Sequence, residues 1–357
     1  MSTTPRERIK TVLAHRRPDR LPRYEILFPA FCESWRTWRG ASDDADLYAH
    51  YSKIDIGTIL ASQGGPFVDL ADTRQDGKTK FVRDTWGRLT RHEEGAKLFE
   101  VVETPIARKT DLDRLDFGNP KTTPRPDLEH LASVTPQVAE RFAPVSGVMG
   151  LFMPSHYLRG EITFLMDLLD DEPFCQALIG RVAEFITALG ECVLDRTDTW
   201  DTALWVYDDF GSNHGPLMSP DVFERCFFPA YKKMIDTWKS KGLTNVILHH
   251  DANCWAVLDM LVDAGFTGIQ GIYPGAGMSI PDVKAKYGDR LALVGGICNI
   301  SVLAPGPKRK IANAVAEIAE VARDGGVVIG AHSIEEDVPP EHYDYYSTLL
   351  AELDQTW

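Results

Sequence analysis

Three ionisable residues in a row, His249, His250 and Asp251, close the apolar run that begins at Asn245. Such a run of β-branched and aliphatic residues reads as a buried strand, and its carboxyl end is where α/β folds build chemistry. Leu204-Trp-Val-Tyr likewise ends in Asp208 and Asp209, with Asn213 shortly after. Val327-Val-Ile-Gly-Ala ends in His332. Imidazole and carboxylate groups from separate strand ends make a zinc site with an open position, so His249, Asp251 and His332 are the expected ligands. Cys254 and Cys298 also follow strand candidates, and either thiol could add a ligand. Two adjacent carboxylates cannot both be comfortable in an apolar cavity. One of Asp208 and Asp209 therefore has a raised pKa or an ionic partner, unless one caps a turn and the other is solvated.

These residues need a scaffold that brings strand ends together. Strand candidates run over 144–149, 204–207, 246–248, 268–272, 291–294 and 327–329. Between them lie helical patterns over 171–196, 220–241, 254–264, 280–287 and 308–323. That alternation argues for a parallel sheet. A further strand or its exit at 24–31, and one strand that the pattern does not place, would make eight, which predicts a TIM-type (β/α)8 barrel. A doubly wound sheet is the alternative, weakened because no GxGxxG or Walker pattern follows any strand. Residues 1–357 read as a single barrel domain, with 1–140 carrying an N-terminal helix (5–15), the first strand and a small antiparallel hairpin within 79–103. Pro120 to Pro126 reads as a linker-like loop. In the helix from Pro220, Ser219 is the expected N-cap and Pro229 the expected kink.

The composition, 44% apolar and 25% charged, is that of a soluble globular protein. A net charge of −14 disfavours nucleic acid and anionic membranes as partners. The six cysteines form no CxxC pair and read as free thiols in a reducing compartment. With no signal pattern and no long apolar window, the expected location is cytoplasmic.

Several short motifs, in order along nearly the whole chain, resemble the uroporphyrinogen decarboxylase superfamily, in particular its cobalamin-dependent methyltransferase branch. They are Arg6-Glu-Arg with Arg17-Pro-Asp-Arg-Leu-Pro, Asp84-Thr-Trp-Gly, Asp208-Asp-Phe-Gly with Met218-Ser-Pro, Leu248-His-His-Asp, Tyr287-Gly-Asp-Arg, Val294-Gly-Gly-Ile and Asp337-Val-Pro-Pro-Glu. The resemblance implies a TIM barrel with its site at the carboxyl ends of the strands. Two departures narrow the expectation. The decarboxylases carry an Arg-Gln-Ala-Gly-Arg-Tyr segment that binds substrate carboxylates, whereas this chain has Arg23-Tyr-Glu-Ile-Leu-Phe-Pro. The thiol-methylating branch holds zinc with His-x-Cys and a later Cys, whereas His249, Asp251 and His332 stand here.

Oxygen and imidazole ligands leave zinc a stronger Lewis acid than thiolates do, suited to polarising an oxygen. The expectation is thus a zinc-dependent, corrinoid-linked methyltransferase. It would move a methyl group from an O-methyl donor, such as a methoxylated aromatic, to the cobalt(I) of a cobalamin on a separate corrinoid protein. The family's Asp-x-His-x-x-Gly corrinoid motif is absent from the sequence. Asp208, Asp209 and Glu25 are the catalytic candidates, with Glu25 also a candidate fourth ligand. Tyr24, Tyr207, Met153, Tyr157, Asn213 and Tyr273 are the pocket candidates. A metal-free decarboxylase, in which Asp208 or Asp209 positions the substrate and His332 handles a proton, a methylcobalamin:acceptor methyltransferase and a non-catalytic binding module stay open. So does a homodimer.

Overall fold

The computed structural model describes residues 3–96, 98–331 and 333–357. Eight short segments form its parallel strands: β1 (Arg23–Tyr24), β2 (Ile59–Ser62), β3 (Val145–Met149), β4 (Leu204–Tyr207), β5 (Val246–His249), β6 (Gly268–Ile272), β7 (Ala292–Ile297) and β8 (Val327–Ala331). Their order across the sheet is β1-β8-β7-β6-β5-β4-β3-β2. A parallel bridge between Tyr24 and Ile56 joins the two ends, so the sheet curls into a TIM-type barrel. Above that bridge, among the described residues, β2 pairs with β3 alone. The strand that the sequence pattern left unplaced is β2, whose Ile-Leu-Ala-Ser is short and ends in small residues.

Because both faces of a parallel sheet are covered, these strands are largely apolar. Successive side chains still alternate between the barrel interior and the helical layer. Tyr24, Val145, Trp205, Ile247, Val294 and Val328 form the interior cluster, packed with Ile9, Val12 and Leu13 of the helix Pro5–Leu13. That amphipathic helix starts in a capping box between Thr4 and Glu7 and plugs the amino-terminal end of the barrel. Beneath it, buried Asp55 accepts hydrogen bonds from Arg8 at 2.7 Å and from Arg20 at 2.8 Å. Arg8 also pairs with Asp19 at 2.7 Å. The Arg6-Glu-Arg and Arg17-Pro-Asp-Arg motifs therefore build the floor of the barrel, far along the strands from their carboxyl ends.

Several expectations are corrected. The strand expected over 24–31 is confined to Arg23–Tyr24, because Pro29 opens a helix, Pro29–Arg39. The expected hairpin is a four-stranded antiparallel sheet of Asp72–Asp76, Thr79–Arg83, Leu89–Glu93 and Glu100–Glu103. Helices Pro126–Arg141, Phe152–Arg159, Glu161–Asp170 and Pro340–Leu353 had no counterpart in the sequence reading. The helix from Pro220 divides at Phe227 into Pro220–Cys226 and Phe228–Ser240. The break lies two residues before Pro229, and Ser219 caps the first part as expected. No helix of the described residues is long and apolar enough to cross a membrane.

Candidate functional site

The two-residue period of the strands decides which member of each ionisable pair reaches the barrel mouth. On β4, Trp205 and Tyr207 face inward, so Asp209 continues that face and Asp208 belongs to the outer one. Asp208 is fully buried there. Its carboxylate accepts N–H bonds from Leu151, Phe152 and Met153, each at 2.8 Å, and one from the Tyr231 hydroxyl. It thereby caps the helix Phe152–Arg159 from the neighbouring strand. Burial pushes its pKa up to about 6, against the opposing effect of these donors.

On β5 the same rule turns His249 and Asp251 inward and His250 outward. His250 is buried, stacks on Phe210 at 4.1 Å between ring centroids, and holds the Asp208 carbonyl through Nδ1 at 2.8 Å. Burial lowers its pKa. His249 Nε2 lies 3.4 Å from Asp251 Oδ1, and its ring tilts against Tyr207 at 5.0 Å. Asp209 Oδ1 accepts from the Asp251 N–H at 3.0 Å. One ligand atom each from Asp209, His249 and Asp251 lies within 4.8 Å of the others. His332, the third expected ligand, lies outside the described residues.

Asp209 thus joins two expected ligands, and the suggested fourth ligands lie elsewhere. Glu25 follows inward-facing Tyr24 and so points outward, beside Tyr343 and Tyr346 of the helix Pro340–Leu353. It is 1% exposed, accepts the Ala331 N–H at 3.4 Å on Oε2, and has the Tyr346 hydroxyl beside it as a further donor. Burial raises its pKa to about 8. Cys254 is buried in the outer core, with its thiol pushed up to about 12 by burial. Cys298 is buried as well and accepts the Ser301 N–H at 3.2 Å.

His249 and Asp251 lie on the wall of a cavity of about 850 Å³. It opens between the chain leaving β1, at Ile26 to Phe28, and β2, at Ile59 and Ala61. Tyr24 and Tyr207 line it as expected, and Tyr48 and Glu335 add to the wall. Among the described residues no lysine or arginine lines it. Tyr273 borders an adjoining cavity of about 470 Å³ that shares Asp251 and Glu335. Met153, Tyr157 and Asn213 line neither. Tyr157 instead lies under the Arg88 guanidinium, 3.4 Å from its ring centroid.

Gln270 was missed. It lies beside His249 on β6, fully buried, with Oε1 against His249 Nδ1. A lone glutamine in an apolar run could have signalled it.

A family model described as "Uroporphyrinogen decarboxylase (URO-D)" matches residues 93–352. A protein of that name from Pelodictyon phaeoclathratiforme is 26% identical over 170 residues, covering 46% of this chain and 45% of its own length. One from Vibrio cholerae is 22% identical over 274 residues, 72% of each chain. Among solved structures, a "methyltransferase from Methanosarcina mazei" shares the fold with a TM-score of 0.64 at 17% identity, over 98% of this chain and 99% of that one.

Proposed function

The chain belongs to the uroporphyrinogen decarboxylase family, and from that premise we propose that it is a zinc-dependent methyltransferase. Its donor would be an O-methyl compound, a methoxylated aromatic first, and its acceptor the cobalt(I) of a cobalamin on a corrinoid protein. The observation that carries this reading is the convergence of Asp209, His249 and Asp251, the last two on a cavity wall where no lysine or arginine stands among the described residues.

A porphyrinogen carries several carboxylates, which call for fixed guanidiniums. Here the charged groups on the wall are Asp251 and Glu335. Repulsion from these disfavours a polyanion and leaves a largely apolar, aromatic space for a neutral ring. The donor set suits zinc. Tetrahedral ligands at zinc bond lengths stand about 3.3 Å apart, so a group already within 4.8 Å needs only small side-chain shifts to close on an ion. Zinc held there would supply Lewis acidity towards the oxygen from which the methyl group departs.

The protein's own residues bind and orient. Ile26, Leu27 and Ile59 offer apolar contact, and the rings of Tyr24 and Tyr207 offer faces for an aromatic donor. Burial holds both phenols well above their usual pKa, so each keeps its proton at neutral pH. Either hydroxyl can donate a hydrogen bond to an oxygen that gains charge as its methyl group leaves.

The test combines metal analysis with a donor panel. Close to stoichiometric zinc is expected, lost in His249→Ala and Asp251→Ala. With cobalt(I) cobalamin, methoxylated aromatics should yield methylcobalamin faster than methylamines or methyl thiols do. Carbon dioxide release from a porphyrinogen, or preference for an amine or thiol, would overturn the reading.

A further inference from the structure

The neighbour that orients His249 is a side chain whose placement the sheet accommodates at a cost. Within β6, Ile269 belongs to the outer core and Gln270 faces inward, so strict alternation would turn Ile272 inward too. Ile272 is in the outer core instead. The phase changes at Gly271, where the pairing with β7 shifts register and φ is +92°. A Cβ there would stand 2.6 Å from both Asp251 Oδ1 and the His250 carbonyl oxygen. Bulges of this kind re-aim side chains beside active sites.

Gln270 Nε2 is buried without a partner among the described residues. A buried amide N–H without an acceptor destabilises the fold, a cost that an aliphatic side chain would avoid. What the amide achieves is contact between Oε1 and His249 Nδ1.

We propose that Gln270 is a positioning residue: its amide oxygen accepts the Nδ1–H of His249. That fixes the tautomer in which Nε2, 3.4 Å from Asp251 Oδ1, carries the lone pair on the Asp209–Asp251 side. An amide sets the tautomer without adding negative charge beside Asp209 and Asp251. A carboxylate would set it too, but would make the imidazole more basic and a bound cation less electrophilic. The consequence for metal binding rests on the reading of the site given above; the tautomer does not.

The test uses the full chain and the variants Gln270→Met, close to glutamine in volume, and Gln270→Glu. Long-range proton–nitrogen NMR of the metal-free protein, with the His249 signals identified by their loss in His249→Ala, reads the tautomer directly. The wild type and Gln270→Glu should show a protonated Nδ1, and Gln270→Met should lose that preference. Zinc competition against a chromophoric chelator should show affinity reduced about 10–100-fold in Gln270→Met and retained in Gln270→Glu. A wild-type Nε2–H tautomer, or an unchanged tautomer or zinc affinity in Gln270→Met, overturns the inference. A wild type that takes up no zinc sinks the proposed function instead, and the NMR arm still decides the role of Gln270.

Discussion

Replacing Glu25 with glutamine should stabilise the protein, and only at neutral to alkaline pH. The carboxyl is fully buried, and the Tyr346 hydroxyl, the Ala331 N–H at 3.4 Å and the Arg23 charge offset only part of its desolvation. Its pKa rises from 4.5 to about 8 on folding. The folded state therefore holds a proton that the unfolded chain has released. A raised acid gives its full stability below the unfolded value and loses it as pH climbs through the folded one. Linkage puts the loss between about pH 5.5 and about pH 8 at roughly 3 kcal/mol. Glutamine matches the shape of the neutral acid and does not titrate. Equilibrium urea unfolding of wild type and Glu25→Gln across that range is the assay. The wild-type free energy should fall relative to the variant by roughly 3 kcal/mol as pH rises. Parallel curves, or a gap that widens towards low pH, would refute the argument that the carboxyl is folded in neutral form.

The two adjacent aspartates should separate cleanly. Asp208→Ala strands three backbone donors and the Tyr231 hydroxyl, so it should cost roughly 3–5 kcal/mol in chemical unfolding while zinc content in the folded protein persists. Asp209→Ala should change stability by about 1 kcal/mol or less and lower zinc retention on dialysis. At the barrel floor, Asp55→Ala leaves Arg8 and Arg20 facing a buried gap and should cost roughly 3–5 kcal/mol, with KM of the folded fraction unchanged in steady-state assays.

Much of the barrel was legible because six of its strands are largely apolar runs alternating with helical patterns. The exceptions share a cause. Before Pro29 starts a helix, the first strand is paired at Arg23–Tyr24 and again at a single bridge from Leu27 to Ile334, and β2 is four residues with little branched character. Their pairing comes from Asp55, Ile56 and the closing of the ring, which no local window contains. The site was legible as a set of strand ends. The direction of each side chain was not, because the phase of an alternating strand shows only when its neighbours are in place. Once Trp205 and Ile247 are known to face inward, Asp209, His249 and Asp251 follow, and Asp208, His250 and, by the same count from Tyr24, Glu25 are excluded from the mouth. Gln270 was beyond that rule, since its bulge depends on pairing with β7.

The joint between β1 and β2 gives the barrel wall two unequal halves. Where His249 and Asp251 stand, β5 is laced on both sides, to β4 and to β6. Opposite them, the chain from Ile26 to Phe28 and the free edge of β2 flank the cavity without pairing across it above the Tyr24–Ile56 bridge. Spreading them breaks no ladder between the two segments, provided that the first keeps its bridge from Leu27 to Ile334, so a bulkier guest is accommodated by splaying segments that already stand apart. Girth is thus decided on one wall and alignment on the other. Diversification towards donors of other sizes has room to proceed at residues 26–28 and 57–63 without disturbing the acids and imidazole across the gap.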